Sequence, residues 1–378
     1  MGLGLLAVCG GFSDVAQAAP AIVAGDVVVL ELIAGDPVAL RDVDMLAFDA
    51  FGNLMANRET FGGTGGVSYV DIDAGTATIL VSGISRADGL TLHPSGALYV
   101  ASEISGVLPF NRIYRIDVTY DAGNVPLSAT ATSITTSIGI NNPEGIVALT
   151  ADSAFGSAGD LYVCEDRTPG RIFHLVLTAG NNATASILVN SPANLRRPEG
   201  LTLGDFSGQL AGPMLFAAET TDNNVLQIDA TGAFSVLGNP AAVAMNQPDN
   251  VKFGHDGMLY VSEDIGAGNG RIIRIAVDGT HEVVLSGFNF PQGMAFDFAR
   301  SDLYVAEQGS ARVWRARFDT ATDDADGDGD VDLFDAGSFQ RCFGAVPMTL
   351  ECLVFDSDRN DTIDLTDHQL FEAMLVGP

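Results

Sequence analysis

The stretch Pro248-Asp249-Asn250-Val251-Lys252-Phe253, followed by Gly257-Met258-Leu259-Tyr260-Val261-Ser262-Glu263, decides the fold of this chain. Two short runs rich in β-branched and aromatic residues flank the turn Gly254–Gly257, which is a strong signal for a β-hairpin. An acidic side chain stands near each end of the hairpin. A second copy follows as Pro291-Gln292-Gly293-Met294-Ala295-Phe296 and Asp302-Leu303-Tyr304-Val305-Ala306-Glu307. The chain therefore repeats one strand pair with polar ends.

This strand pair recurs along the 378 residues at intervals that indicate an array of blades. A repeat of roughly 45–60 residues built from short strands is typical of a β-propeller, in which each repeat forms a four-stranded blade around one axis. The four earlier copies start at Asp44, Asp88, Glu144 and Glu199 and end at Glu59, Glu103, Glu165 and Glu219. We therefore predict an all-β chain with a six-bladed propeller over residues 20–320.

The sixth repeat lacks a fourth strand, because its third strand at Ala311–Phe318 runs directly into an acidic tail. The N-terminal segment Val27–Leu32 resembles the fourth strands of the other repeats, such as Glu282–Leu285. We expect it to pair with the sixth blade and close the ring, which removes the exposed edges of an open sheet. A seventh blade is the alternative, although no residues for it are evident.

Composition limits the partners and the location of the protein. The 48 acidic residues against 18 basic ones give a formal charge of −30, which argues against nucleic acid or an anionic membrane and favours bound cations. No run of 18 apolar residues exists, so no membrane span is expected. The apolar run Leu3–Val8 and the small-x-small sequence Ala16-Gln17-Ala18 predict an export signal over residues 1–19. We therefore expect a secreted or cell-surface protein.

Residues 321–378 form a separate, strongly acidic segment with two calcium-loop patterns. In Asp324–Asp335 carboxylates stand at loop positions 1, 3, 5, 9 and 12 with glycine at position 6, and Asp356–Asp367 repeats the pattern with Asp361 at the glycine position. Alternate oxygen ligands around a sharp turn suit Ca²⁺. An acidic disordered tail is the alternative. The predicted ligands of the two ions are Asp324, Asp326, Asp328, Asp330, Asp332 and Asp335, and Asp356, Asp358, Asn360, Thr362, Asp364 and Asp367.

Aspartate at position 12 of both loops, with one helix after each, resembles the dockerin family. The resemblance implies a small α-helical calcium-binding domain and a cohesin-like or cell-surface protein as its partner. Positions 10 and 11, which help to read the partner in that family, are Leu333-Phe334 and Leu365-Thr366 here. Cys342 and Cys352 are expected to pair in an oxidising compartment.

The repeat places polar side chains in rings at one end of the propeller, because the first strand of each blade lines the axis. Asp44, Asp88, Glu144, Glu199, Asp249 and Gln292 should ring the mouth of the channel, with Glu59, Glu103, Glu165, Glu219, Glu263 and Glu307 as a wider ring. Neither ring contains histidine, so one divalent cation at the axis would be calcium rather than zinc. The alternative is structural: Arg41, Arg86, Arg196 and Arg197 could neutralise the inner ring, and the outer ring could accept backbone N–H bonds.

The order of turn and strand, Pro-acid-Gly-apolar followed by Gly-x-Leu-Tyr-Val-Ala, resembles the SMP-30/gluconolactonase family and the related NHL repeats over residues 26–318. The resemblance implies a six-bladed propeller that hydrolyses lactones with a metal at its axis. Blade by blade, the metal ligands would be Asp44, Glu199 and Asp249, with Glu144 near the substrate; only Asp249 keeps the family's residue. We expect Asp88 to join Glu144 at the substrate.

Three functions remain open at this point. The first is a secreted metal-dependent lactonase-like hydrolase in which Asp249, or a neighbouring carboxylate, accepts a proton from the attacking water. The second is a non-catalytic propeller that binds a protein or glycan on its acidic face and is displayed by the tail. The third is a lyase that opens cyclic esters, although such lyases use a histidine that is not evident here.

Overall fold

The computed structural model describes residues 19–104, 112–190, 195–237, 244–298, 300–318, 333–344, 352, 355–357 and 362–374. Residues 1–18 of the predicted export signal lie outside this set. Within it, the chain is built from short β-strands, with two α-helices near the C-terminal end. Neither of these helices is long and apolar enough to cross a membrane.

The described strands form six four-stranded antiparallel blades, as the repeat predicts. Blades 1 to 3 comprise Val43–Phe48, Leu54–Arg58, Gly66–Asp71 and Thr76–Ser82; Ala87–Leu92, Leu98–Ser102, Ile113–Tyr120 and Pro126–Thr136; and Pro143–Ala148, Leu161–Glu165, Arg171–Thr178 and Asn182–Asn190. Blades 4 to 6 comprise Pro198–Gly204, Met214–Glu219, Asn224–Ile228 and Phe234–Val236; Pro248–Phe253, Leu259–Glu263, Gly270–Ile275 and His281–Phe288; and Pro291–Asp297, Asp302–Glu307 and Arg312–Phe318.

The N-terminal strand Val27–Gly35 supplies the fourth strand of blade 6, which confirms the predicted closure. It pairs antiparallel with Arg312–Phe318, from Val27 opposite Phe318 to Gly35 opposite Arg312. The observed strand runs beyond the predicted end at Leu32. Sequence reasoning missed a further short strand, Ala21–Ile22, which pairs with the outer strand of blade 5.

The first strands of the six blades contact one another in a closed ring, with blade 6 beside blade 1. Their approach is so close that glycine is needed at several contacts. A Cβ atom on Gly89 would lie 2.0 Å from the carbonyl oxygen of Glu144, and one on Gly145 would lie 2.0 Å from that of Glu199. The narrow spacing of these strands therefore depends on residues without side chains.

The hydrophobic core consists of layers between neighbouring blades, each built from the facing sides of two sheets. Tyr162 and Leu215 pack between blades 3 and 4, and Tyr260, Phe296 and Phe318 pack between blades 5 and 6. Burial of these apolar faces is the main favourable contribution to folding. Since every blade shares both of its faces, closure by the N-terminal strand also completes the layers on either side of blade 6.

The tail forms a small helical unit, as expected. Its helices are Leu333–Cys342 and Leu365–Met374, and Cys342 is bonded to Cys352 with the two Cα atoms 5.3 Å apart. Phe339 and Phe371 stack with ring centroids 4.8 Å apart and form a core with Phe355. The predicted disulfide is therefore confirmed, and the helices share an aromatic core.

Ring closure predicts unequal costs for two neighbouring truncations in the N-terminal strand. Ile33 is 9% exposed and packs into the layer between blades 6 and 1, whereas Leu32 is 46% exposed. We expect Ile33→Ala to lower the free energy of unfolding by about 2–4 kcal/mol and Leu32→Ala by about 0.5 kcal/mol or less. Urea denaturation of both variants measures this difference, and equal losses would contradict the closure.

The close approach of the first strands predicts that Gly145→Ala destabilises the ring. The added Cβ would collide with backbone that cannot move without shifting a blade, so we expect a loss of about 1–3 kcal/mol or more. Gly212→Ala is the matched control, because nothing lies within 4 Å of its Cβ position. Thermal unfolding should leave this control within a few degrees of the parent protein.

Candidate metal centre

The six residues predicted to form the inner ring lie at the same end of the closed ring. Each is the second residue of its blade's first strand and stands where the pairing with the second strand shifts register. All are nearly buried, with 3–9% of each residue exposed. These residues are Asp44, Asp88, Glu144, Glu199, Asp249 and Gln292.

One backbone arrangement holds this end of every blade. The residue two positions before each inner-ring residue is in the left-handed region, with φ between 46° and 56°, although none of the six is glycine. Its carbonyl accepts a hydrogen bond from the N–H of the residue that follows the second strand, at 2.8–3.3 Å. Such backbone is uncommon for residues other than glycine and is retained where the surroundings fix it. The six left-handed residues are Asp42, Arg86, Asn142, Arg197, Gln247 and Phe290.

The predicted outer ring of six glutamates is right in blades 1 and 2 and wrong by one residue in blades 3 to 6. Arg58 pairs with Val43 and Ser102 pairs with Ala87, in the same way that Glu165 pairs with Pro143. Glu59 and Glu103 therefore come one position later, and a one-residue shift turns a side chain to the other face. The second ring at the mouth is formed by the residues after the second strands: Glu59, Glu103, Asp166, Thr220, Asp264 and Gln308.

The four glutamates that do end a second strand have the structural role that was the alternative. Glu165 accepts the N–H of Asn141 at 2.6 Å and binds Arg171 through both oxygens. Glu263 accepts the N–H of Asn246 at 2.7 Å. Glu307 accepts the N–H of Asn289 in the same way, and Glu219 accepts the N–H of Asp222 in the turn that follows its strand. These carboxylates connect each blade to a nearby loop instead of facing the mouth.

Sequence reasoning missed Asp166 and Asp264, which take part in the electrostatics of the mouth. They directly follow Glu165 and Glu263, so aligning the repeats on their Leu-Tyr-Val cores would have assigned them to the second ring. Thr220 belongs to the same ring, and its hydroxyl donates a hydrogen bond to Glu199 and reaches the carbonyl of Pro248 at 2.9 Å.

The acids at the mouth form two groups in which one oxygen from each member lies within 4.8 Å of the others. Glu144, Glu199 and Asp249 form the first, which we call the 144 triad. Asp44, Glu59 and Asp88 form the second, which we call the 44 triad. The predicted ligand set Asp44, Glu199 and Asp249 is thus divided between the two triads.

Burial and crowding raise the pKa values of these carboxyl groups. The pKa of Asp249 is well above its usual value, first through burial and then through the charges of Glu199 and Asp44. Burial likewise raises the pKa of Glu144 and that of Asp88. It raises the pKa of Glu199 to about 8, with the Thr220 hydrogen bond acting in the opposite direction. The carboxylates therefore lack enough positive charge nearby.

Of the four arginines that the sequence predicted as partners of the ring acids, two contact the rings. Arg86 donates from Nε to Glu59 at 2.6 Å and also pairs with Glu103. Arg197 binds both oxygens of Asp166 at 2.6 and 2.8 Å and lies 3.3 Å from Glu199. The other two form pairs elsewhere: Arg41 with Asp42 and Arg196 with Asp222.

The donor set of the 144 triad fits a hard divalent cation. All three ligands are carboxylates and all are more than nine-tenths buried. Oxygen-only ligands suit calcium or magnesium rather than zinc. An ion there would also offset the burial and the repulsion that raise these pKa values, because opposite charge favours the ionised form.

The described part of the tail contains five of the twelve predicted calcium ligands. Asp335 and Asp367 are fully buried in the first turns of the two helices, and Asp356 is 6% exposed. Thr362 and Asp364 are more exposed, and the N–H of Asp364 donates to Asp367 at 2.9 Å. The remaining predicted ligands lie outside the described residues: Asp324, Asp326, Asp328, Asp330, Asp332, Asp358 and Asn360.

Comparison with solved structures finds propeller proteins at low sequence identity. A gluconolactonase from Xanthomonas campestris is 14% identical with a TM-score of 0.54, covering 79% of this chain and 94% of that one. A candidate gluconolactonase is 15% identical with a TM-score of 0.54, and the match covers 78% of this chain and 94% of that one. An auxiliary nutrient binding protein from Bacteroides thetaiotaomicron is 13% identical with a TM-score of 0.51, and the match covers 76% of each chain. No protein-family model and no curated protein matches the chain. These likenesses establish a gluconolactonase-like propeller fold.

Proposed function

We propose that the propeller is a metal-dependent hydrolase of lactones or related esters. The observation that carries this proposal is the 144 triad, a buried oxygen-only site at the mouth of a closed ring. A divalent cation, with Ca²⁺ as the best fit, would be held there by Glu144, Glu199 and Asp249. The fold shared with gluconolactonases supports the proposal without identifying a substrate.

The residues around the triad divide the work of an ester hydrolysis. A bound cation would supply polarisation of the ester carbonyl and a lowered pKa for water. Asp249 accepts the proton of the attacking water as the general base. Thr220 and Arg197 fix the carboxylate of Glu199. Glu144 and Asp88 are the residues that we propose contact the hydroxyl groups of the substrate.

A binding protein without catalysis is the second candidate. In the SMP-30 family, which this chain resembles, asparagine is expected where blades 3 and 4 carry Glu144 and Glu199. This mouth is therefore more acidic than that of a family hydrolase. Such a mouth could hold a cation that binds a glycan or a protein surface. Cation binding without turnover of any ester would favour this candidate.

The hydrolase proposal predicts that Asp249→Asn lowers kcat/KM on the best substrate of a lactone panel. Loss of a general base costs about 10²–10⁴-fold, and EDTA should abolish the activity of the parent protein. Asp278→Asn is the matched control, since Asp278 lies in the turn at the other end of blade 5. Activity that survives both EDTA and the Asp249 substitution would exclude this mechanism.

We further infer that the tail binds two calcium ions and anchors a secreted protein to a cohesin-like or cell-surface partner. The buried Asp335 and Asp367, at position 12 of each loop, support the ion sites. The Cys342–Cys352 disulfide and the apolar N-terminal run support passage through an oxidising compartment. The dockerin resemblance supports the class of partner.

The calcium proposal predicts separate losses from the two loops of the full-length protein. Asp335→Ala and Asp367→Ala should each weaken one calcium site at least tenfold, because position 12 supplies a principal ligand. Isothermal titration measures the effect. Glu372→Ala on the second helix is the control, since its exposed side chain lies outside both loops. Unchanged titrations for both loop variants would refute the two sites.

A further inference from the structure

We propose that the 44 triad is a second divalent-cation site, so that the mouth of the propeller binds two ions side by side. Asp44 and Asp88 reach it from the first strands of blades 1 and 2, and Glu59 reaches it from the loop after the second strand of blade 1. The inference rests on the proposed function only in taking the 144 triad as the first site.

Unpartnered buried oxygens are the observation that points to a ligand here. Asp88 is 3% exposed, and its Oδ1 atom has no hydrogen-bond partner among the described residues. Gln292, which is 7% exposed, also has an unpartnered oxygen. The side chain of Gln292 lies at the same mouth, where it hydrogen-bonds Asp264 of the second ring. Buried acceptors of this kind are rare and need an explanation such as an ion.

The balance of charge supports two ions rather than one. Nine carboxyl groups interact at the mouth, and among the described residues two guanidinium groups, Arg86 and Arg197, face them. With all nine groups ionised, one divalent cation would offset two of the seven surplus negative charges (nine less the two guanidinium charges). The nine groups are Asp44, Glu59, Asp88, Glu103, Glu144, Asp166, Glu199, Asp249 and Asp264.

Each triad lies beside an arginine, although the 144 triad has three first-strand acids and the 44 triad has two and Glu59. In each, an arginine in the left-handed position two residues before an inner-ring acid binds one member of the triad. Arg86 does this for Glu59 in the 44 triad, and Arg197 does it for Glu199 in the 144 triad. In the 44 triad, Arg86 fixes the carboxylate of Glu59 while the first-strand acids Asp44 and Asp88 stay available, as a pre-formed cation site requires.

The test is the number of calcium ions per full-length chain after dialysis against buffered calcium, measured by mass spectrometry of the metal. The variants are Asp88→Asn, Glu144→Gln and the two combined, all of which keep the shape of the side chain. We expect each single variant to lose one ion and the double variant to lose two. Ions in the tail are common to all the proteins, so they cancel in the differences. Asp117→Asn, an exposed acid on blade 2, should lose none.

Three outcomes are decisive. If Asp88→Asn keeps the full number of ions, the 44 triad is not a cation site and the proposal fails. If the double variant loses only one ion, a single ion is shared by both triads and the proposal also fails. If Glu144→Gln loses no ion while Asp88→Asn loses one, the second site is supported and the cation site of the proposed hydrolase is refuted. Circular dichroism verifies folding, and Asp44→Asn serves as an independent variant of the same triad.

Discussion

The closed ring of first strands is the constraint on which the acidic mouth depends. Carboxylates about 4 Å apart repel by roughly 4 kcal/mol at an effective dielectric constant of 20, so an open or mobile sheet would let them separate. Here the strands cannot move apart, because each packs against two neighbours and glycines such as Gly145 allow the neighbouring backbones to lie in close contact. Apolar burial in the layers between the blades therefore offsets the free-energy cost of holding the buried acids close together. This balance lets the fold hold two groups of acids that could bind a cation.

A repeated backbone bond converts the ring into a defined site. In each blade the carbonyl of a left-handed residue receives the N–H that follows the second strand, and this bond fixes the inner-ring acid and the second-ring residue relative to each other. Variation is confined to the side chains: blades 1 and 2 place glutamate in the second ring, blade 4 places Thr220 and blade 6 places Gln308. The amides of blade 6 interrupt the ring of acids between blades 5 and 1.

Much of the fold could be predicted because the repeat is explicit. The strand pairs, the closing strand from Val27 and the pairing of Cys342 with Cys352 all follow from local patterns that the structure confirms. The outer glutamate ring was misplaced because Glu59 and Glu165 read alike in a sequence, although their cross-strand partners differ by one position. A shift of one residue along the strand decides whether a carboxylate hydrogen-bonds a loop or faces the axis, although the amino-acid composition of the segment stays the same.

The sequence by itself determined the number and order of the blades, the residues at the start of each first strand and the oxygen-only chemistry of the mouth. Those features reside in short segments whose strand and turn preferences are local. Only the tertiary structure decided which acids are neighbours, which arginines reach them and which oxygens remain unpartnered, since residues such as Asp44 and Asp88 meet through packing between blades. Distances of a few ångströms between segments far apart in the chain are set by that packing, and local sequence carries no direct record of them.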